Sequence, residues 1–211
     1  MAATPKQRAL LDFYAHLMEE AKARLSCIDM ALAGRTGLPG PAVHEFCYLQ
    51  LRMLCEVIAL GRLTAHGDIT PSKRLHKEYA ADKIVSKLEK LHPNFYPVAC
   101  TQNKRGPDEY DAVLLDDGYL TKPELLQLYR KCGDFLHRGS LRKVISPQVL
   151  RFTVIESWRK KIGDLLWFHA IFLLNKNSMV LCTLKNIEAN NRVTWALLEG
   201  EQIASLLQKS A

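Results

Sequence analysis

Apolar residues recur at three- and four-residue steps through residues 6–32: Leu10, Phe13, Tyr14, Leu17, Met18, Ala21, Leu25 and Ile28. That spacing predicts a long amphipathic helix. The stretch AGRTGLPGP, 33–41, holds three glycines and two prolines and reads as a loop. A second helix is predicted over about 42–66. Its middle, FCYLQLRMLCEVIAL, is apolar almost all round, as in a helix buried on most sides. Gly67 and Asp68 end it, and Pro71 cannot continue it. Residues 72–91 predict a third helix with a basic outer face and Ser72 as its N-cap.

HPNFYP breaks that helix, and the chain to about 120 reads as irregular, with a short strand at Val113–Leu115. A connection this long often carries function. Thr121 and Glu124 have capping-box spacing and open a fourth helix that runs to about His137 and stops at Gly139. A fifth helix is predicted over about 147–174, with Phe152, Ile155, Ile162, Leu165, Leu166 and His169 in phase. Then the period changes. MVLCTL and RVTWALL flank the turn-prone Asn190–Asn191 and predict a β-hairpin, followed by a short helix over 200–209. The expected fold is therefore mainly α. It is a four- to five-helix bundle spanning 1–175, with a small C-terminal β-hairpin and short terminal helix, 176–211, appended to the same domain.

Composition adds bounds. The 211 residues, 24% charged and 48% hydrophobic, suit one soluble domain with a real core. No apolar run reaches the roughly 18 residues of a membrane span. The first residues turn amphipathic and charged at once, unlike a signal peptide, so a cytoplasmic protein is expected. Six scattered cysteines without a Cys-x-x-Cys pair read as buried reduced thiols. Seven histidines without zinc-ligand spacing predict no metal. The net charge of +7 favours polyanionic partners, although an ordinary basic surface accounts for it equally.

The candidate chemistry lies in YRKCGDFLHRGS, 129–140. At 100° per residue, Arg130, Asp134 and His137 fall within about 60° of one another. Leu125, Leu128, Tyr129, Cys132, Phe135 and Leu136 take the opposite side. Gly133 lies beside the polar trio. A mid-helix glycine costs about 1 kcal/mol against alanine, so close approach of a ligand or another backbone is one reason to keep it. Any amphipathic helix has a polar face, and the trio fits that description too. On the second helix Glu45, Arg52 and Glu56 form one ionic stripe. Either Arg52 and Glu56 are a structural i, i+4 pair, or the stripe faces the fourth helix across a cleft with Arg52 as a second cation for a phosphate. SWRKKIG, 157–163, and SKRLHK, 72–77, read as solvated basic faces more readily than as a groove. His169, among Trp167, Phe168 and Ile171, reads as a buried, satisfied histidine. Trp158, Trp167 and Trp195 are spaced as core residues.

An arginine, six intervening residues and a histidine near a helix end, preceded by long helices, resemble the HEPN superfamily over roughly residues 8–175. LQLRMLCEVIAL and LEKLHPNFYP add to the likeness. The resemblance implies a metal-independent endoribonuclease without a cofactor, working as a homodimer whose two motifs meet at a cleft. Such proteins serve in toxin–antitoxin, phage-defence or stress systems, often with an antitoxin or operon partner protein. Other members are non-catalytic and bind nucleotide or protein. In active members the residue after the arginine is often Asn, Asp or His; here it is Lys131. Carried onto this chain, His137 is the base for the 2′-hydroxyl, Arg130 holds the phosphate and Asp134 partners one of them. Arg52, Glu56, Lys131, Arg138, Arg142 and Lys143 line the RNA. Histidine suits proton removal near neutrality, and the arginine fork suits a phosphate. A structural scaffold whose hairpin edge pairs with another chain is a further alternative.

Overall fold

The computed structural model describes residues 3–66, 78, 80–104, 110–137, 149–174, 177–200 and 203. Five helices are described: α1 (Pro5–Leu32), α2 (Gly40–Ala65), α3 (Ala81–Leu91), α4 (Lys122–Leu136) and α5 (Phe152–Trp167). They share the molecule with a five-stranded antiparallel sheet of β1 (Val98–Lys104), β2 (Tyr110–Leu114), β3 (Phe168–Phe172), β4 (Ser178–Asn186) and β5 (Arg192–Glu199), in the order β2-β1-β3-β4-β5. The expectation of a mainly α bundle with only a small hairpin does not hold.

Two segments account for the difference. Residues 98–114, read as irregular apart from a short strand at Val113–Leu115, form the β1–β2 hairpin, in register from Cys100 opposite Leu114 to Lys104 opposite Tyr110. Its polar residues suit the end of a sheet, where alternation is weak. Residues 168–172, read as the end of the fifth helix, are the central strand. β3 pairs with β1 through Val98–Ala170 and with β4 through Ala170–Leu181, and all five of its residues are buried. A strand covered on both faces is apolar without alternation and cannot be told from a buried helix by periodicity.

The helices and the hairpin follow their patterns more closely. Thr4 and Gln7 exchange backbone hydrogen bonds of 3.2 and 3.0 Å at the start of α1. α2, with thirteen buried residues, packs against α1, α3, α4 and α5. β4 and β5 form the expected hairpin. Asn190 and Asn191 take φ of 55° and 61°, a left-handed conformation that asparagine tolerates. The third helix starts later than the expected 72: Ala80 is an extended N-cap (φ −76°, ψ 117°) and Ala81 the first helical residue, while Ser72 lies outside the described residues. The expected helix over 200–209 lies, apart from Gly200 and Ile203, outside them too.

One face of the sheet joins the helical core through Ile171, Val180, Cys182 and Leu184. The other carries a second apolar cluster of Cys100, Phe168, Ala170, Phe172, Met179 and Ile203. At β5, the α1 side chains reach over: Glu19 accepts the Val193 N–H at 2.6 Å, and Asp12 accepts the Trp195 indole N–H at 3.0 Å.

At Gly61 α2 passes close to α1. A Cβ there would lie 2.9 Å from Tyr14 Cε2 and 3.2 Å from Met18 Cε. Gly61→Ala is expected to destabilise the fold by about 1–3 kcal/mol, because overpacking outweighs alanine's helix propensity. A urea unfolding midpoint equal to or above that of the parent would contradict this contact.

Candidate functional site

α4 is held at both ends and along one side. At its start Glu124 accepts hydrogen bonds from the Thr121 N–H and hydroxyl, each at 3.0 Å, and pairs with Lys161 of α5. Leu125, Leu128, Tyr129 and Cys132 are buried. Near its end Phe135 stacks on Tyr48 with ring centroids 4.1 Å apart, and His44 packs edge-on to Phe135. The helix closes at Leu136. His137 is its C-cap in an extended conformation (φ −90°, ψ 128°), its N–H still bonded to the Gly133 carbonyl at 3.1 Å.

Arg130, Asp134 and His137 are all exposed. Among the described residues, no side-chain hydrogen bond or ion pair joins the three to each other. The polar partner that Asp134 was expected to give Arg130 or His137 is not made. The cavities at 93–98, between α1, α5 and β4, on the sheet, and beside Leu10 and Leu11 do not include any of the trio.

Arg52 and Glu56 form the expected i, i+4 pair at 3.2 Å. Arg52 also reaches α4. It donates to the Tyr129 hydroxyl at 3.0 Å and lies over that ring, 4.5 Å from the centroid. Its Nη1 sits 3.3 Å from where a Gly133 Cβ would stand. The close approach at Gly133 is therefore an arginine of the same chain. α2 and α4 pack directly, with no cleft between them at this point.

Lys131 turns away from the trio. Its ammonium lies 5.5 Å from the Trp158 ring centroid, on the α5 side, and Lys161 shares that ring. Arg138, Arg142 and Lys143, with Gly139, lie outside the described residues, as does the stretch 72–77. In 157–163 the basic residues are engaged: Arg159 with Asp29, Lys160 with Asp164 and Lys161 with Glu124. Trp158 is buried, but Trp167 is 55% exposed, against the expectation of three core tryptophans.

A second polar cluster was missed because its members are far apart in sequence. Arg62 of α2 has no exposed surface, and no carboxylate among the described residues pairs with it. Its Nη2 donates to the Tyr14 hydroxyl of α1, which lies 2.6 Å from His169 Nε2 of β3. His169 Nδ1 lies 3.1 Å from the Leu166 carbonyl. A carbonyl only accepts, so Nδ1 carries the proton, Nε2 accepts from Tyr14, and Tyr14 accepts from Arg62. The expected buried, satisfied His169 is thus the end of a polarised chain. Arg62 Nε and Nη1 have no partner among the described residues. One turn on, His66 donates to the Phe95 carbonyl at 3.3 Å and packs edge-on to His92, which donates to the Phe172 carbonyl at 2.9 Å.

Burial sets the chemistry of this cluster. It holds His169 down to about 3, with the Arg62 charge adding to the effect. His66 is likewise held to about 3 by burial, then by His92 and Arg62. Burial pushes the Tyr14 phenol further above its usual value, against the pull of Arg62. It pushes the Cys132 and Cys182 thiols up to about 12, as suits structural thiols. Among the described residues, no group of three or more His, Cys, Asp or Glu side chains is arranged to hold a metal ion. No described helix is long and apolar enough to cross a membrane.

Comparison with protein-family models, curated proteins and solved structures finds no match to the chain.

The buried histidines make stability depend on pH. Folded His66 and His169 stay neutral down to about 3, whereas the unfolded chain protonates them near 6.5. Below about pH 6.5 the unfolded state therefore binds more protons, and stability falls as pH falls toward 3. The thermal midpoint should drop between pH 7 and pH 4.5, and drop less steeply in His169→Gln. Equal slopes in the two proteins would remove His169 from this account.

Proposed function

We propose that the exposed end of α4 is an RNA-contacting face and that the protein is a metal-independent endoribonuclease of HEPN type, assembled as a homodimer. The observation that carries this reading is that Arg130, Asp134 and His137 are exposed together at one helix end, without a side-chain partner among the described residues. Other helical charges of the chain are paired at the same spacing, as in Arg24–Glu20 and Lys160–Asp164. A free cation, a free carboxylate and a free imidazole suit a ligand that brings its own charge. The resemblance to the HEPN motif supports the same residues.

In this reading His137 removes the proton from a 2′-hydroxyl. The oxygen attacks the adjacent phosphorus and expels the 5′-oxygen of the next nucleotide, leaving a 2′,3′-cyclic phosphate and a 5′-hydroxyl. Arg130 binds the phosphoryl oxygens, where negative charge builds. Asp134 orients the imidazole once RNA is bound. Arg52, its charge met by Glu56, holds α4 in place behind the face at Tyr129 and Gly133. The trio stands on an exposed face, and in the homodimer of this reading the partner copy supplies the second wall. DNA, lacking the 2′-hydroxyl, is not cut.

A specific observation favours a second reading. Lys131 leans on Trp158, and the face is open, which suits a module that binds nucleic acid without cutting it. Incubation with RNA in EDTA separates the two. The catalytic reading expects cyclic-phosphate ends from the parent and a loss of roughly 100-fold or more in His137→Ala. Binding of the same RNA, weakened in Arg130→Ala, with no cleavage from pH 6 to 9, would establish the module instead. Equal cleavage by parent and variant would overturn the role of His137.

A further inference from the structure

A cavity of about 520 Å³ lies between α1, α5 and β4, and no residue of α4 lines it. Its size is that of a small-molecule site. Trp167, the last residue of α5, forms part of the wall and is more than half exposed. An indole at the rim of a cavity offers an apolar face of negative character, which attracts C–H groups. The charges of the wall cancel: Glu19, Asp29 and Asp164 stand against Lys22, Arg159 and Lys185. Glu19 is paired with Lys22, Asp29 with Arg159, and Asp164 with Lys160. A charged ligand would have to displace one of these pairs or stand unmatched beside it. A neutral ligand does neither.

What the pairs leave over is a set of single donors and acceptors. Asp29 takes Nε and Nη2 of Arg159, at 2.6 and 2.5 Å. Arg159 Nη1 stays without a partner among the described residues and lies over Gly163, 3.1 Å from where a Cβ would stand. Lys160 takes Asp164 Oδ2 at 2.6 Å and leaves Oδ1. The Ser26 hydroxyl, on the α1 side, is also on the wall. Gly163 and Asp164 are neighbours in α5, so a free N–H donor and a free carboxylate acceptor stand side by side. A hydroxyl group donates and accepts at once and suits such a pair. A pyranose ring carries hydroxyls around its rim and C–H groups on its face. We propose that this cavity binds a neutral pyranose sugar, its C–H face on Trp167 and its hydroxyls at Asp164 Oδ1, Arg159 Nη1 and Ser26. The site does not rest on the RNA-cleaving reading.

The test is a titration of the full chain with glucose, maltose, glucosamine and glucuronate, followed by calorimetry and tryptophan fluorescence. Glucose and maltose should bind saturably and shift the emission, because Trp167 is the exposed indole beside a buried Trp158 and a half-buried Trp195. Glucosamine and glucuronate keep the ring but carry a charge, and each should bind roughly tenfold more weakly than glucose. Trp167→Ala and Asp164→Ala should each weaken maltose roughly tenfold, the first through the lost face and the second through the lost acceptor. Both variants should keep the far-ultraviolet circular dichroism of the parent, since Trp167 is largely exposed and Asp164 pairs only with an exposed lysine. Absence of saturable binding of either neutral sugar at tens of millimolar concentration would overturn the proposal. So would maltose binding that is unchanged in both folded variants. Glucosamine or glucuronate binding as tightly as glucose would overturn the neutral ligand class.

Discussion

The Arg62–Tyr14–His169 chain joins one residue from each of three elements that sequence order keeps apart: α2, α1 and the central strand β3. A guanidinium without exposed surface is costly to bury unless its donors are met. Tyr14 meets one of them and passes the polarity on to His169, whose remaining proton goes to the last turn of α5. The directions of these bonds are dictated by the carbonyl at the far end. That coupling fixes how the helical layer sits on the sheet, because moving β3 relative to α1 breaks a bond of 2.6 Å in the dry interior. Gly61 leaves room for the same ring, since a Cβ there would lie 2.9 Å from Tyr14 Cε2.

The face of α4 rests on that frame at one remove. α2, fixed by Arg62 at its end, presents Arg52 from its middle to Tyr129 and Gly133. His44 and Tyr48, near the start of α2, hold Phe135. Three points along one helix thus set the place of the other, and they leave its outer side to solvent. The exposed trio is positioned from behind by groups that never reach the surface chemistry themselves.

Much of this was legible residue by residue. The 3.6-residue periodicity placed α1, α2 and α4 to within a few residues, and the Asn190–Asn191 turn placed the β4–β5 hairpin. The i, i+4 spacing of Arg52 and Glu56 offered their pair as one of two readings, and the pair is the one formed. What could not be read depends on long-range pairing. Phe168–Phe172 is apolar at every position, and only strands 98–104 and 178–186 on either side of it decide that it extends. Arg62 stands in the last turn of α2. Its burial follows from Tyr14 and His169, 48 and 107 residues away, which no local pattern announces. Trp167 failed for a related reason: the helix ends at that residue, and the indole is left at the rim of the sheet instead of beneath it.

The grip of α1 on β5 has a bearing on how the molecule behaves in a crowd. A sheet recruits another strand through bare backbone groups at its margin. At β5 the Val193 N–H is already taken by Glu19, and Asp12 ties the neighbouring Trp195 indole to the same helix. A second chain that extended the sheet from this side would have to displace Glu19 from Val193, beside a 28-residue helix packed along α2. The hairpin edge that the sequence offered to another chain is, at Val193, already occupied by a carboxylate of this chain.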